Sequence, residues 1–209
     1  MSIANFLTVL RLLISPFFLA IYLSHDFFGI SSFLLPYVLF ALLGASEISD
    51  ACDGYFARKY NQVTDLGKIL DPMADSIARI TMFLAFTQKP VQLPIPFVFI
   101  FLYRDSVVSC LRTICALRGF ALAARTSGKV KAVIQAIAAA AILLLMIFHV
   151  EENLSTEFLQ YSSTWIVAIA SIYTVFSGID YIYANRGYIA RSLTAQKVNA
   201  GSSHGSIFP

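Results

Sequence analysis

Long runs of apolar residues alternate along the chain with short stretches that contain most of the charged residues. A helix that crosses a bilayer needs about 20 consecutive, mostly apolar residues. Six runs approach or exceed that length, so the pattern predicts an all-α integral membrane protein with six transmembrane helices. The predicted spans are residues 4–23, 32–56, 69–87, 94–116, 131–150 and 163–184.

Helix-starting and helix-ending residues mark some borders of these spans. Pro94 is typical of the first turn of a helix, whereas Glu151 begins a polar stretch that predicts a helix end. No repeat or internal linker interrupts the pattern, so we expect one transmembrane domain over residues 1–200. The segment 201–209 is rich in Gly and Ser, and we expect it to be disordered.

The loops predict the orientation in the membrane. Lys and Arg are concentrated after the second, fourth and sixth spans, whereas the other loops contain only Lys89. By the positive-inside rule, segments rich in Lys and Arg face the cytoplasm. Both termini are therefore predicted to be cytoplasmic, in agreement with an even number of spans. The residues that give this bias are Arg58, Lys59, Lys68, Arg118, Arg125, Lys129, Lys131, Arg186, Arg191 and Lys197.

Composition supports a lipid environment and argues against a nucleic-acid partner. Hydrophobic residues make up 58% of the 209 positions and charged residues 13%, whereas soluble domains have roughly 25% charged residues. The net charge of +3 is too small to indicate a polyanionic partner. Cys52, Cys110 and Cys115 have no metal-binding spacing, and we interpret them as reduced, apolar residues. The first apolar run lacks a basic n-region and a cleavage site, so we expect it to be retained as a span.

Four aspartates lie at the cytoplasmic ends of the second and third predicted spans. Asp50 and Asp53 are three residues apart and Asp71 and Asp75 are four apart, so each pair shares one helical face. A charge at the centre of a membrane helix costs roughly 2.5–3.5 kcal/mol on insertion scales, and less near the interface. Divalent cations would offset this cost and the mutual repulsion, and an all-oxygen site suits Mg²⁺ or Mn²⁺. A plainer alternative is that the acids cap helices and solvate a loop.

The spacing of these acids and their neighbours forms a specific motif. Its eight matching positions are Asp50, Asp53, Gly54, Ala57, Arg58, Gly67, Asp71 and Asp75. This motif resembles the signature of the CDP-alcohol phosphotransferase family. The resemblance implies six transmembrane helices, a homodimer, and an active site that is open to the cytoplasm.

The resemblance also implies roles for individual residues. The four aspartates would ligate two divalent ions, Mg²⁺ or Mn²⁺, and Asp75 would also be the base that deprotonates the acceptor alcohol. Glycine permits close approach of a ligand, and arginine matches the geometry of phosphate. The pocket for the CDP-lipid would be formed by Gly54, Ala57, Arg58, Thr64 and Gly67.

Four basic residues further along the chain are candidates for the acceptor site. Near the expected metal site they would bind a dianionic phosphate, such as that of glycerol 3-phosphate. The four are Arg104, Arg112, Lys129 and Lys131. Their segments, and those beginning at Asn5 and Ser177, are similar to bacterial phosphatidylglycerophosphate synthases, a branch of the same family. The resemblance therefore implies transfer of the phosphatidyl group of CDP-diacylglycerol to glycerol 3-phosphate, with release of CMP.

Two observations leave the acceptor open. First, the positive-inside bias is an alternative explanation for Lys129 and Lys131, and an ion pair with the adjacent Asp105 is an alternative explanation for Arg104. In addition, Ser76 stands where many synthases of this branch have lysine, with Arg79 one turn further on. Another acceptor, such as an inositol phosphate, is the alternative within the family.

A cation transporter or channel is the rival class, because acids within a membrane also mark ion pathways. A transporter site is expected near the bilayer midplane, often between inverted repeats. The acids of this chain lie near one interface, and no inverted repeat is visible. The sequence therefore favours the enzyme.

Overall fold

The computed structural model describes residues 3–59, 65–117 and 125–194, and every regular element in these ranges is an α-helix. The predicted all-α fold is thereby confirmed for the described residues, and each helix overlaps one predicted span. The helices are α1 Ile3–Ser24, α2 Leu35–Lys59, α3 Asp65–Ala85, α4 Ile95–Leu117, α5 Thr126–Val150 and α6 Thr156–Thr194. Side chains are described over residues 11–49, 72–115 and 125–190.

The largest difference from the predicted spans is at α6. This helix has 39 residues and extends beyond the predicted span 163–184 at both ends. Where it continues through polar residues, two of their side chains bond to its own backbone: Asn185 Nδ2 donates to Tyr181 O at 2.8 Å and Arg186 Nη1 to Tyr183 O at 3.0 Å. Hydropathy measures the apolar length of a helix and not its full length. The segment 201–209 lies outside the described residues.

The helices have the surface of a membrane protein. Two of them, Thr126–Val150 and Thr156–Ala190, are long and apolar enough to cross a membrane by length and composition. Shorter apolar helical stretches cover Arg11–Ser24 and Leu35–Ser49. Large apolar side chains are also exposed on the outside of the bundle, with Ile172 72% exposed. Helices that are apolar on their exposed faces as well as on their buried faces are typical of a lipid environment.

In the described residues the helices pack as a closed ring. α1 packs against α2 and α3, α4 against α3 and α6, and α5 against α6 and α2. The order around the ring is therefore α1, α3, α4, α6, α5 and α2, and a smaller contact between α3 and α5 crosses it. This order places α3 beside α1 on one side and beside α4 on the other. A residue on α3 can consequently face two different groups of helices.

The two ends of the bundle are filled differently. At the end where α1, α3 and α5 finish, the ring of Phe86 has its centroid 6.2 Å from Phe18, 5.9 Å from Tyr22 and 6.1 Å from Phe83, in edge-to-face contacts. We call this end the apolar half. The opposite end, the polar half, contains charged side chains that are almost fully buried, namely Arg11, Asp105 and Lys131.

Candidate active site

The acidic motif lies on α2 and α3. Asp50 and Asp53 are in the second half of α2, and Asp71 and Asp75 are in α3. Because both segments are helical, each pair shares one face of its helix. Of the four acids only Asp75 has a described side chain. The described part of the chain contains no group of three or more metal-ligating side chains. The metal set therefore stays a prediction.

The residues expected to bind the CDP-lipid belong to the same two helices or to the connection between them. Gly54, Ala57 and Arg58 are in α2, and Gly67 is in α3. Nothing beyond their place in a helix is described, and Thr64 lies wholly outside the described residues. Their predicted roles stay predictions.

Asp75 is bound by two arginines. Nη1 of Arg11, on α1, donates to Oδ1 of Asp75, and Nη2 of Arg79 lies 3.7 Å from Oδ2 in an ion pair one helical turn away. The side chain of Arg11 is 3% exposed, whereas that of Asp75 is 22% exposed. Asp75 is therefore tied to α1 from one side while part of its carboxylate stays accessible.

Asp75 and Arg79 line two neighbouring openings. The first is a narrow cleft between α1, α2 and α3, where Arg11, Ser46 and Glu47 also contribute. Glu47 lies one turn before Asp50 on α2, so the face of α2 that has the acidic motif borders this cleft. The cleft thus joins α2 and α3 beside the predicted metal site.

The second opening is a cavity of about 250 Å³ between α3, α4, α5 and α6, which we call the cationic cavity. All four residues predicted to bind the acceptor phosphate line it, together with Asp75. Its wall contains six cations and one carboxylate among the described residues. Its polar and charged lining residues are Asp75, Ser76, Arg79, Arg104, Arg112, Arg125, Lys129, Lys131 and Tyr181.

Asp105 lies behind the wall of this cavity and pairs with two of the cations. Lys131 Nζ is 2.8 Å from each carboxylate oxygen, and Arg104 Nη1 donates to Oδ1 at 2.9 Å. The side chains of Asp105 and Lys131 are 3% and 5% exposed. A charge buried to this degree needs a partner. The expected pairing of Arg104 with its neighbour Asp105 is confirmed, and Lys131 from α5 completes it.

A second carboxylate anchors the entrance of α5. Asp180 Oδ2, on α6, accepts a hydrogen bond from Arg125 Nε at 2.9 Å and from Ser127 Oγ at 2.6 Å. Arg125 directly precedes α5, so these bonds hold the start of α5 against α6. The basic segment that follows is thereby directed towards the cavity.

Two of the cavity cations lack an acidic partner among the described residues. Arg79, Arg104, Arg125 and Lys131 are in ion pairs. Arg112 and Lys129 have no carboxylate contact in the described part of the chain, and Nε of Arg112 is buried without a hydrogen-bond partner there. Guanidinium and ammonium groups donate only, so both residues have donors available to an anion in the cavity.

Sequence reasoning did not assign several of these residues to the site. Arg11 lies in the segment that begins at Asn5, Asp180 lies in the segment that begins at Ser177, and Arg125 contributes to the loop charge, but nothing in their spacing indicates which residues they contact. The Arg11–Asp75 and Arg125–Asp180 contacts join residues 64 and 55 positions apart. Such contacts depend on how the helices are rotated against each other.

Comparison with known proteins gives a consistent result. Residues 1–177 match the family model described as CDP-alcohol phosphatidyltransferase. The chain is 30% identical over 197 residues to a Bacillus subtilis protein named CDP-diacylglycerol–glycerol-3-phosphate 3-phosphatidyltransferase, covering 88% of this chain and 95% of the relative. Proteins of the same name from Rickettsia felis and Haemophilus influenzae are 30% and 29% identical, covering 90% and 89% of this chain and 97% and 94% of the relatives.

Proposed function

The chain belongs to the CDP-alcohol phosphatidyltransferase family, and we propose that it transfers the phosphatidyl group of CDP-diacylglycerol to glycerol 3-phosphate. The products are phosphatidylglycerophosphate and CMP, and the reaction is a step of phospholipid biosynthesis. The names of relatives that align over most of the chain support this acceptor. The protein is an enzyme of the phosphatidyltransferase class.

One structural observation contributes most to the proposal: the cationic cavity is lined both by a carboxylate, Asp75, and by two cations, Arg112 and Lys129, that have no carboxylate partner among the described residues. Glycerol 3-phosphate is a small molecule with a hydroxyl at one end and a dianionic phosphate at the other. Its phosphate would bind Arg112 and Lys129, assisted by Arg104 and Lys131, because charge-assisted hydrogen bonds are the strongest of their kind. Its hydroxyl would then face Asp75.

The donor set fits a pair of hard divalent cations. Asp50 and Asp53 on α2 and Asp71 and Asp75 on α3 offer only carboxylate oxygens, which Mg²⁺ and Mn²⁺ prefer over the sulfur and nitrogen ligands typical of zinc. Such ions, when bound, would polarise the diphosphate and stabilise the leaving CMP. The assignment of these four residues as ligands is part of the proposal.

The residues of the chain supply the rest of the chemistry. The acceptor oxygen attacks the phosphorus of the phosphatidyl group, a new P–O bond forms, and the anhydride bond to CMP breaks. Asp75 takes the proton of the attacking hydroxyl. Help of this kind from a general base typically makes a reaction about 10²–10⁴ times faster. The ion pairs with Arg11 and Arg79 keep this carboxylate in place at the edge of the cavity. The CDP-lipid would be bound by Gly54, Ala57, Arg58, Thr64 and Gly67.

We also propose the topology and location of the enzyme. Six helices, of which each overlaps an apolar run, support six spans in the cytoplasmic membrane. The concentration of Lys and Arg in alternate loops supports cytoplasmic termini and an active site that faces the cytoplasm. A homodimer is proposed from the family resemblance.

A panel of acceptors tests the reaction. Purified protein in detergent, with CDP-diacylglycerol and Mg²⁺, is offered glycerol 3-phosphate, an inositol phosphate, inositol or serine, and the release of CMP is measured. We expect turnover with glycerol 3-phosphate and little with the unphosphorylated alcohols. Preference for the inositol phosphate would assign the same chemistry to another acceptor. No CMP release with any acceptor would overturn the proposal.

A further inference from the structure

Arg104 is held from two sides by residues of different helices. Its Nη1 donates to Asp105 Oδ1 at 2.9 Å, and its Nη2 donates to Ser177 Oγ, on α6, at 2.7 Å. Ser177 is 0% exposed, and Asp105 is bound in turn by Lys131 of α5. The guanidinium orientation is therefore set by contacts that involve α4, α5 and α6, before any substrate enters the cavity.

Two glycines leave the space that this side chain occupies. A Cβ atom on Gly178 would lie 3.1 Å from Cγ of Arg104, and a Cβ atom on Gly128 would lie 3.6 Å from its Nη2. The first contact is tighter than ordinary van der Waals distance, so Arg104 passes close to the backbone of α6. Its side chain has little room to adopt another orientation.

We propose that Asp105 and Ser177 are positioning residues for acceptor binding: they fix Arg104 and Lys131 in the orientation that receives the acceptor phosphate. This inference rests on the proposed function of the cavity. Long, flexible side chains lose rotamer entropy when they bind a ligand. Side chains that are already ordered by Asp105 and Ser177 avoid most of that loss at the moment of binding. Neither residue lines the cavity itself.

A simpler role for Asp105 predicts the opposite result. If the carboxylate only neutralised buried positive charge, its replacement by asparagine would make the cavity more positive, and a dianion would bind more tightly. If it positions the two cations, the same replacement frees them and weakens binding. The sign of the change in KM for the acceptor therefore separates the two roles. Ser177→Ala changes no charge and tests positioning alone.

The experiment measures KM for glycerol 3-phosphate and for CDP-diacylglycerol in Asp105→Asn, Ser177→Ala and Ser171→Ala. Ser171 is a matched control because it is also on α6, is 2% exposed, and has an Oγ without a partner in the described structure. We expect the acceptor KM to rise about tenfold for Asp105→Asn and about threefold for Ser177→Ala, as the loss of a charge-assisted hydrogen bond implies. In Ser171→Ala both KM values should change less than about twofold, because no such hydrogen bond is lost. In all three variants the KM for CDP-diacylglycerol should also change less than about twofold.

Two outcomes would overturn the inference. One is an acceptor KM that falls in Asp105→Asn, and the other is an acceptor KM in Ser177→Ala that equals that of Ser171→Ala. If Asp105→Asn fails to elute as a folded protein on size exclusion, the two serine variants decide the question. Failure of the proposed function is distinguishable, because the unmodified enzyme would then not release CMP with glycerol 3-phosphate at all.

Discussion

The apolar and polar halves of the bundle are built from the same six helices but are stabilised by different interactions. In the apolar half, Phe86 contacts three other aromatic rings edge-to-face, a geometry that aromatic pairs prefer but that is less strict than the angle of a hydrogen bond. In the polar half, Asp105 makes hydrogen bonds of 2.8–2.9 Å to two cations from two helices. Each of those bonds depends on direction and on charge.

The difference indicates where function resides. A packed apolar region tolerates substitutions of similar volume, whereas removal of one partner from a buried ion pair leaves an uncompensated charge. The polar half therefore combines buried ion pairs with a partly accessible acid, Asp75, and with two cations, Arg112 and Lys129, that have no acidic partner among the described residues. We expect substitutions there to alter catalysis and binding selectively, and substitutions in the apolar half to alter stability alone.

Removal of divalent metal should have the largest effect on turnover. It should act on the polar half and leave the packing of the apolar half unchanged. Because the four carboxylates of the proposed metal site on α2 and α3 would repel one another without divalent cations, we expect chelation by excess EDTA to reduce CMP release to background. The size-exclusion profile should be unchanged, and excess Mg²⁺ should restore turnover. Full activity in the presence of excess chelator would remove the metal from the mechanism.

Asp75→Asn should have the next largest effect. Asparagine keeps the shape of the side chain but cannot accept the proton, so kcat should fall by about 10²–10⁴-fold. The KM for CDP-diacylglycerol should change much less, since Arg58 and the metal ions held by the other acids are proposed to bind that substrate. Steady-state kinetics with both substrates checks this, and a kcat near that of the unmodified enzyme would show that Asp75 is not the base.

These two predictions start from sequence motifs, and the fold was also largely predictable. Hydropathy indicated six helices because a lipid environment demands apolar length, and each of the six helices in the described residues overlaps one apolar run. Their ends were less predictable, as α6 shows: Asn185 and Arg186 continue the helix although the apolar run has ended. A polar residue that bonds to its own helix ends the apolar pattern without ending the helix.

The sequence predicted that the four acceptor candidates share one region, but it did not predict their pairings. Arg104, Arg112, Lys129 and Lys131 do line one cavity. Sequence spacing paired Arg104 with Asp105 but could not show that Lys131, 26 residues further on, shares the same carboxylate. Contacts between helices depend on their rotation and order in the ring, and hydropathy specifies neither.

Arg112→Ala should have a smaller and more selective effect. Arg112 has no acidic partner in the described structure, so its removal leaves no buried carboxylate unpaired, and the fold should be retained. Loss of a charge-assisted hydrogen bond to the acceptor phosphate should lower kcat/KM for glycerol 3-phosphate about tenfold or more. The KM for CDP-diacylglycerol should stay near normal.

Arg186→Ala is the matched control for that substitution. Arg186 is an arginine of α6 that stacks on the ring of Tyr183, 4.1 Å from its centroid, and lies outside the cationic cavity. Its removal should leave both KM values unchanged. Equal effects of the two substitutions on the acceptor KM would show that Arg112 acts through general charge rather than by contact.

The smallest effect on catalysis is expected for Phe86→Ala, in the apolar half. Phe86 is 0% exposed and fills the space between Phe18, Tyr22 and Phe83. In soluble proteins, loss of a buried Phe side chain costs about 3–5 kcal/mol. The cost in a membrane should lie below this range, because lipid removes part of the hydrophobic term and leaves mainly the lost packing. We therefore expect a lower melting temperature in detergent, together with KM values for both substrates within about twofold of the unmodified enzyme, since no hydrogen bond to a substrate is lost. A selective rise in the acceptor KM would show that packing in the apolar half sets the geometry of the cationic cavity, and the two halves would then not be separable.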